Sequence, residues 1–401
     1  MLATQLSAYT QTPNILSADY RHAGVASRIQ LTGHTHQALP DMAERGYSEH
    51  WNALNKYGEE RWDEVFACAY EVRQGFAALL EDEAENIALA SSVHDLVVRF
   101  LSALPLLQRP RIVTTDAEHP SVARQLLRLS EQHIELVMVP AVPAETLIER
   151  LAAALDDKTA ALCMSSVNFV SGHLALELDT LMPHCQKLGV ELFVDAYLSI
   201  NVQHFSLADY NLQQAFVAGG GAKYCQLGGG NCFMHVPPGR NFRPIVTGWF
   251  GCFDPLLDNP ASTPLAYADD ASRFSGSSND ALCHFRARHV FSYFRQRGLN
   301  VDLLHDINDH QKAVLEREFT RCDLDDKLIT LSTDIEYFGG FLSFKSPCSQ
   351  RLCEKMRDRG VHTDYRKHWL RMGPAPYLCD EQLSDGILAL EESVKELAQE
   401  L

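Results

Sequence analysis

Residues 111–140 read RIVTTDAEHPSVARQLLRLSEQHIELVMVP. A short apolar run, RIVTT, ends in a turn before Pro120. An amphipathic stretch at helical spacing, SVARQLLRLSEQ, follows, and a second apolar run, IELVMVP, closes the unit. Two strands joined by a helix rather than by a tight turn run parallel, because the helix carries the chain back to the end of the sheet where it began.

The same alternation extends in both directions. Upstream, residues 60–80 place apolar side chains at helical spacing, an acidic turn EDEAEN follows, and a short strand at 87–90 runs straight into SSVHDLVVRFLSAL. Downstream come a helix at 144–155, a strand at 160–167, a helix at 178–189 and the strand VELFVDA at 190–196. Continuous apolar strands interleaved with amphipathic helices predict an α/β fold, a mainly parallel sheet covered on both faces. After about Gly276 longer helices appear, such as ALCHFRARHVFSYFRQRG, then a β-rich stretch and a last helix from near Asp380 to Leu401. The expected division is an N-terminal segment at 1–58, a large domain at 59–285 and a small α+β domain at 286–401, with a long helix as the joint.

The composition narrows the class. A chain of 401 residues, 46% hydrophobic and 22% charged, suits a large globular unit with a real core. The formal charge of −17 opposes a nucleic-acid or anionic-membrane partner, yet leaves room for a compact pocket that takes one small anion. Eleven cysteines without a C-x-x-C pair, and an N-terminus without a basic start and apolar core, point to free thiols in a reducing cytoplasm. No window approaches the run of about 20 apolar residues that spans a membrane.

In open parallel sheets ligands bind beyond the carboxyl ends of the strands, so the residues there carry the chemistry. Ser91 and Ser92 stand between a strand and a helix, where a phosphate site and an ordinary N-cap are both consistent readings. His119 stands in the next turn, either as a stacking ring or as a solvated side chain. Asn168 follows another buried strand, and Asp195 ends the most apolar one, where a carboxylate needs a cationic or hydrogen-bonding partner. Lys223 lies between two glycine triplets in FVAGGGAKYCQLGGGNC, residues 216–232. Together, in this order, these residues describe a pyridoxal phosphate site: an amine for covalent and general-base catalysis, a carboxylate to keep the ring nitrogen protonated, and glycines that let the backbone approach the cofactor.

Several stretches resemble the class V aminotransferase family of fold-type-I pyridoxal phosphate enzymes, kynureninase and its relatives in particular. VNFVSG is similar to a V-N-[YN]-x-x-G segment, VDAYLS to the aspartate-bearing strand end, and GAKYCQLGGG to the run around the imine lysine. TGWFGCFDP resembles G-W-W-G-H, RFSGSSN resembles R-F-x-x-G-T-P, and WLRMGPAPYL resembles I-R-L-A-P-A-P-L-Y. The resemblance covers residues 29–378. It implies a fold-type-I architecture with a seven-stranded sheet, and a homodimer whose active site is shared across the interface. In it, Ser91 and Ser92 would hold the phosphate, His119 would stack on the pyridine ring, and Asn168 would contact the ring hydroxyl. Asp195 would pair with the ring nitrogen, Lys223 would form the imine, Trp249 and Ser277 would reach the phosphate, and Arg371 would bind the substrate carboxylate. No metal is implied.

The chain departs from the pattern near substrate and ring. Ala222 stands where kynureninase has a phosphate-binding tyrosine, and Leu198 where a polar residue is usual, which leaves Tyr197 or Tyr224 for the polar work. His119 matches the cysteine desulfurase branch, whose loop cysteine has no counterpart here. His34 and His36 in GHTHQALP are either substrate-facing or plain loop histidines. The resemblance implies an enzyme acting on an α-amino acid by kynureninase-like cleavage at the β/γ carbons, through an external aldimine from which Lys223 takes the α-proton. Amino transfer to a keto acid is the alternative.

Overall fold

The computed structural model describes residues 2–56, 60–132, 134–253 and 264–400. The expected division at 58/59 lies outside them, as do the last two residues of TGWFGCFDP, Asp254 and Pro255. The chain begins with α1 (Leu2–Thr10), α2 (Glu44–Lys56) and α3 (Arg61–Leu80). It then alternates through β1 (Ile87–Ala90), α4 (Val93–Ser102), β2 (Arg111–Thr115), α5 (Pro120–Ser130), β3 (Glu135–Val139), α6 (Leu147–Ala153), β4 (Thr159–Ser165), α7 (Leu181–Leu188) and β5 (Glu191–Asp195). β6 (Phe216–Gly220) and β7 (Cys232–His235) complete a seven-stranded sheet in the order β1-β7-β6-β5-β4-β2-β3.

Only β7 runs against its neighbours; the other pairings in the sheet are parallel. Every residue of β1, β6 and β7 is buried, as expected of strands covered on both faces. β3 lies at the edge, and there the pattern relaxes until Met138 is 46% exposed. α4 seals one face with Phe100, whose ring meets Phe193 of β5 at 5.1 Å and Phe216 of β6 at 4.8 Å. α3 covers the other, with Phe76 at 4.5 Å from Phe233 of β7.

Two long helices follow, α8 (Leu282–Arg297) and α9 (Val301–Arg321). A four-stranded antiparallel sheet comes next, built from β8 (Thr330–Leu331), β9 (Leu342–Lys345), β10 (Asp364–Arg366) and β11 (Trp369–Met372) in the order β10-β11-β9-β8. α10 (Ser349–Asp358) and α11 (Asp380–Glu400) flank it, tied to each other by Lys355–Glu396 and Arg359–Glu396 ion pairs. The N-terminal segment is threaded into this unit. Ile29 pairs with Val361, and the Gly33 N–H donates to Gly373 O at 2.7 Å. A side chain on Gly33 would stand 2.4 Å from Pro374 O, so the approach requires glycine. No disulfide joins any of the cysteines, and among the described residues no helix is long and apolar enough to cross a membrane.

Candidate active site

Parallel strands in register end side by side, and here that places β4 and β5 level: Ser165 pairs with Asp195, and Asp195 with Ala218 of β6. A cavity of about 280 Å³ opens beyond these ends, lined by Ser91, Ser92, His119, Asp195, Tyr197 and Lys223 among others.

The glycine-rich segment is part strand and part loop. Gly219 and Gly220 belong to β6, and neither they nor Gly221 have a positive φ. They are small because neighbours press on them: a methyl on Gly220 would stand 2.7 Å from Cys232 Sγ and from the Tyr197 ring, and one on Gly221 would stand 2.6 Å from Leu227. Only in the second triplet do Gly228 (φ +68) and Gly230 (φ +91) need the left-handed region. The Gly221 N–H to Asn231 O bond (2.7 Å) closes the base of the loop, and Lys223 projects from it.

Among the described residues, Lys223 Nζ has no hydrogen-bond or ion-pair partner; it lies over the Tyr197 ring, 4.6 Å from the centroid. Burial pushes its pKa down to about 8, with Asp195 opposing and the Arg371 charge adding to the shift. Asp195 Oδ1 accepts the Tyr197 N–H at 2.9 Å. The Tyr197 hydroxyl accepts from Ala222 N at 3.3 Å, so the ring under the lysine is tied to the lysine's own loop.

At the other end of the cavity α4 begins. Ser92 caps it, accepting from Asp95 N at 3.1 Å, while Ser91 Oγ donates to the Asp95 carboxylate at 2.8 Å. The capping reading of Ser92 is thus seen directly, and both serines also line the cavity. His119 caps α5 through Ser121 N (3.2 Å) and meets Phe169 edge-on at 4.7 Å; burial lowers its pKa.

Other residues singled out from the sequence lie elsewhere. Asn168 Oδ1 accepts from Val170 N (2.8 Å) and Ser171 N (3.0 Å), holding its own turn, and Asn168 borders a smaller neighbouring hollow. The Tyr224 side chain is buried with Val167, Leu198, Val202 and Phe341, its hydroxyl unpartnered among the described residues. Trp249 stacks on Phe253 at 4.7 Å, in a patch that also brings Gly248 against Ser277, which is itself exposed. His36 is exposed, with Nδ1 3.2 Å from Thr35 Oγ1.

Arg371 is 1% exposed, just behind Phe169, a residue of the cavity wall. Its guanidinium lies between two rings, 5.2 Å from the Phe169 centroid and 5.5 Å from that of Phe341. Asp364 faces it across the β10–β11 pair and takes two of its N–H groups, Nε at 2.8 Å and Nη2 at 2.5 Å, while Nη1 donates to Phe169 O at 2.5 Å. Of the five guanidinium donors, one on each Nη remains. His34 completes the cluster: it stacks on Phe341 at 4.3 Å and sits 3.0 Å from Asp364 Oδ1. Burial lowers its pKa to about 4, so it is neutral at pH 7. Asp364 was not singled out from the sequence, because its partner is fixed by hairpin register rather than by spacing.

A second residue missed from the sequence is Glu118, beside His119. It is 7% exposed, and burial pushes its pKa up to about 7 against the hydrogen bonds from Ser165 and Thr115. Its position in the turn just after β2, beside His119, was the available signal.

No protein-family model matches the chain. It is 23% identical over 290 residues, 72% of this chain and 74% of the relative, to the uncharacterized aminotransferase YcbU of Bacillus subtilis (strain 168). Its structure is similar to that of a C-DES mutant with glycine covalently linked to the PLP cofactor, with a TM-score of 0.82 and 16% identity over 94% of this chain and 99% of that one. It is also similar to the cystine C-S lyase C-DES in complex with its product cysteine persulfide, with a TM-score of 0.80 and 16% identity over 92% and 99% of the chains. The fold is that of fold-type-I pyridoxal phosphate proteins such as C-DES.

Proposed function

We propose that this chain is a pyridoxal-phosphate-dependent enzyme acting on an α-amino acid, with kynureninase-like cleavage at the β/γ carbons as its reaction. The observation that carries the reading is Lys223, a half-buried amine without a protein partner among the described residues, held over a ring in the same cavity as Asp195 and the start of α4.

The residues present fit the cofactor. Ser91, Ser92 and the N-terminus of α4 suit a phosphate, although the Asp95 carboxylate bonded to Ser91 requires the backbone N–H groups to do most of that binding. Asp195 suits a protonated ring nitrogen at the opposite end. When bound, the cofactor supplies an electron sink for the substrate's α-carbon. Lys223 Nζ takes the α-proton, and a pKa near 8 leaves part of the amine neutral at physiological pH. Arg371 is assigned the substrate carboxylate through its two remaining donors, which requires Phe169 to move aside because the guanidinium is buried behind it, and Asp364 keeps the guanidinium from rotating. Val167, Phe169 and Leu198 give the cavity an apolar wall that limits water.

Cleavage rather than sulfur transfer is supported by Cys232, a thiol of the cavity wall: burial pushes it up to about 12, which suits a packing thiol and not a nucleophile. The likeness to YcbU favours amino transfer as the second reading. A homodimer in which the Trp249–Ser277 patch of one chain reaches the phosphate of the other accounts for that patch lying outside its own chain's cavity.

The test is borohydride reduction of the cofactor-loaded protein followed by peptide mass mapping. Cofactor mass fixed on Lys223 is expected, and Lys223→Ala should carry none while keeping its circular dichroism. A wild-type protein that fixes no cofactor sinks the reading. L-Kynurenine, 3-hydroxykynurenine, L-cysteine and L-alanine are then added in turn: an anthranilate product supports cleavage, and turnover that needs a keto acid supports the transferase.

A further inference from the structure

One buried carboxylate behind the cavity wall has no part in the roles above. Glu118 Oε1 accepts from Thr115 Oγ1 at 2.5 Å and from Ser165 N at 3.2 Å, and Oε2 accepts the Ser165 hydroxyl at 2.5 Å. Three donors converge on it, the arrangement an ionised carboxylate requires when it is out of water.

Ser165 is the end of this relay that faces the cavity. It is the last residue of β4, it lines the cavity, and it stands in register beside Asp195. A serine hydroxyl has one proton and two lone pairs. With the proton committed to Glu118, only lone pairs are left to point elsewhere, so Ser165 and Asp195 form a stretch of wall that accepts hydrogen bonds and donates none from these side chains.

We propose that Glu118 is a positioning residue: it turns the Ser165 hydroxyl so that this wall recognises a protonated ring nitrogen, a pyridinium and not a neutral pyridine. The inference rests on the cofactor reading above. It adds a second acceptor to the role of Asp195 and gives Glu118 a reason to be buried next to another carboxylate. A pyridinium in the cavity is also the cation that draws Glu118 back toward its ionised form against the cost of burial.

The test uses the cofactor-loaded protein and reads the rate at which cofactor is released into excess apo-acceptor, followed by absorbance. In Glu118→Gln the amide N–H₂ donates to Ser165 Oγ and sends the serine proton into the cavity, against the ring nitrogen. Release is expected to quicken by about ten- to a hundredfold, the range for a hydrogen bond to a charged group. Ser165→Ala should quicken release similarly, and Glu118→Gln added to Ser165→Ala should change it no further. If both single variants release cofactor within twofold of wild type, the inference is wrong; if Glu118→Gln keeps its full effect without Ser165, its role is structural and the inference is equally wrong. Should Glu118→Gln fail to fold, Ser165→Ala alone decides, since losing one hydroxyl leaves the fold intact. A wild-type protein that binds no cofactor overturns the cofactor reading and this inference together; slow release from wild type and both variants overturns this inference alone.

Discussion

At the scale of single residues, Lys223 shows how burial prepares a side chain for chemistry. Only a neutral amine attacks a carbonyl or takes a proton, and burial lowers the pKa to about 8, with Arg371 adding to the shift and Asp195 opposing it. Cofactor attachment to the apo-protein should therefore quicken as pH rises through about 8 and level off above it, as measured by stopped-flow absorbance. Arg371→Gln removes a charge that favours the neutral amine, so the midpoint should move to higher pH. An inflection near 10 in wild type would mean an ordinary solvated lysine. The residue types at 195, 223 and 371 were legible as candidates because each breaks its local pattern: a carboxylate ending an apolar strand, a lysine among glycines, an arginine inside WLRMGPAPYL. Asp364 gave no such signal, since TDYRKHW reads as an ordinary polar hairpin.

At the scale of elements, the two glycine triplets look alike in sequence and do different work. The first narrows a strand so that Tyr197 and Cys232 can close on it; the second turns the chain and borders the cavity. Gly220→Ala should destabilise the protein by roughly 1–3 kcal/mol in urea titration, the usual cost of overpacking a well-filled site. Gly229→Ala has no heavy atom within 4 Å of the new methyl and no positive φ to strain, so stability should hold while the methyl, at the cavity wall, weakens cofactor binding. Equal effects on stability would show that both triplets are simply structural. Periodicity located the helices from α3 to α7 and five strands of the large sheet, but not α1 or α2. It did not find β6, where glycines within the strand weaken the very pattern that marks one, nor β7, which is only four residues long.

At the scale of the whole molecule, the candidate site draws on three separate parts of the chain. The large sheet supplies Asp195 and Lys223, the β10–β11 hairpin supplies Arg371 and Asp364, and the N-terminal segment brings His34 onto Asp364. The Trp249–Ser277 patch requires a fourth part, a second copy of the chain, if it is to meet a cofactor. Sedimentation of the loaded protein should give twice the chain mass, and Ser277→Arg should speed cofactor release without lowering the melting temperature of the apo-chain. A monomer that retains cofactor as tightly would remove that role for the patch.

The sequence by itself determined the architecture, since apolar runs and helical spacing reflect local backbone hydrogen bonding and burial on both faces of a sheet. It also placed a lysine, an aspartate and two serines at strand ends, because in a parallel sheet those ends lie on one side. Only the tertiary structure decided which side chains turn into the cavity. Asn168 is spent on its own turn and Tyr224 faces away, whereas Glu118 backs Ser165 and Asp364 occupies one side of Arg371. These pairings depend on strand register and on contacts between segments far apart in the chain, and neither leaves a period in the sequence.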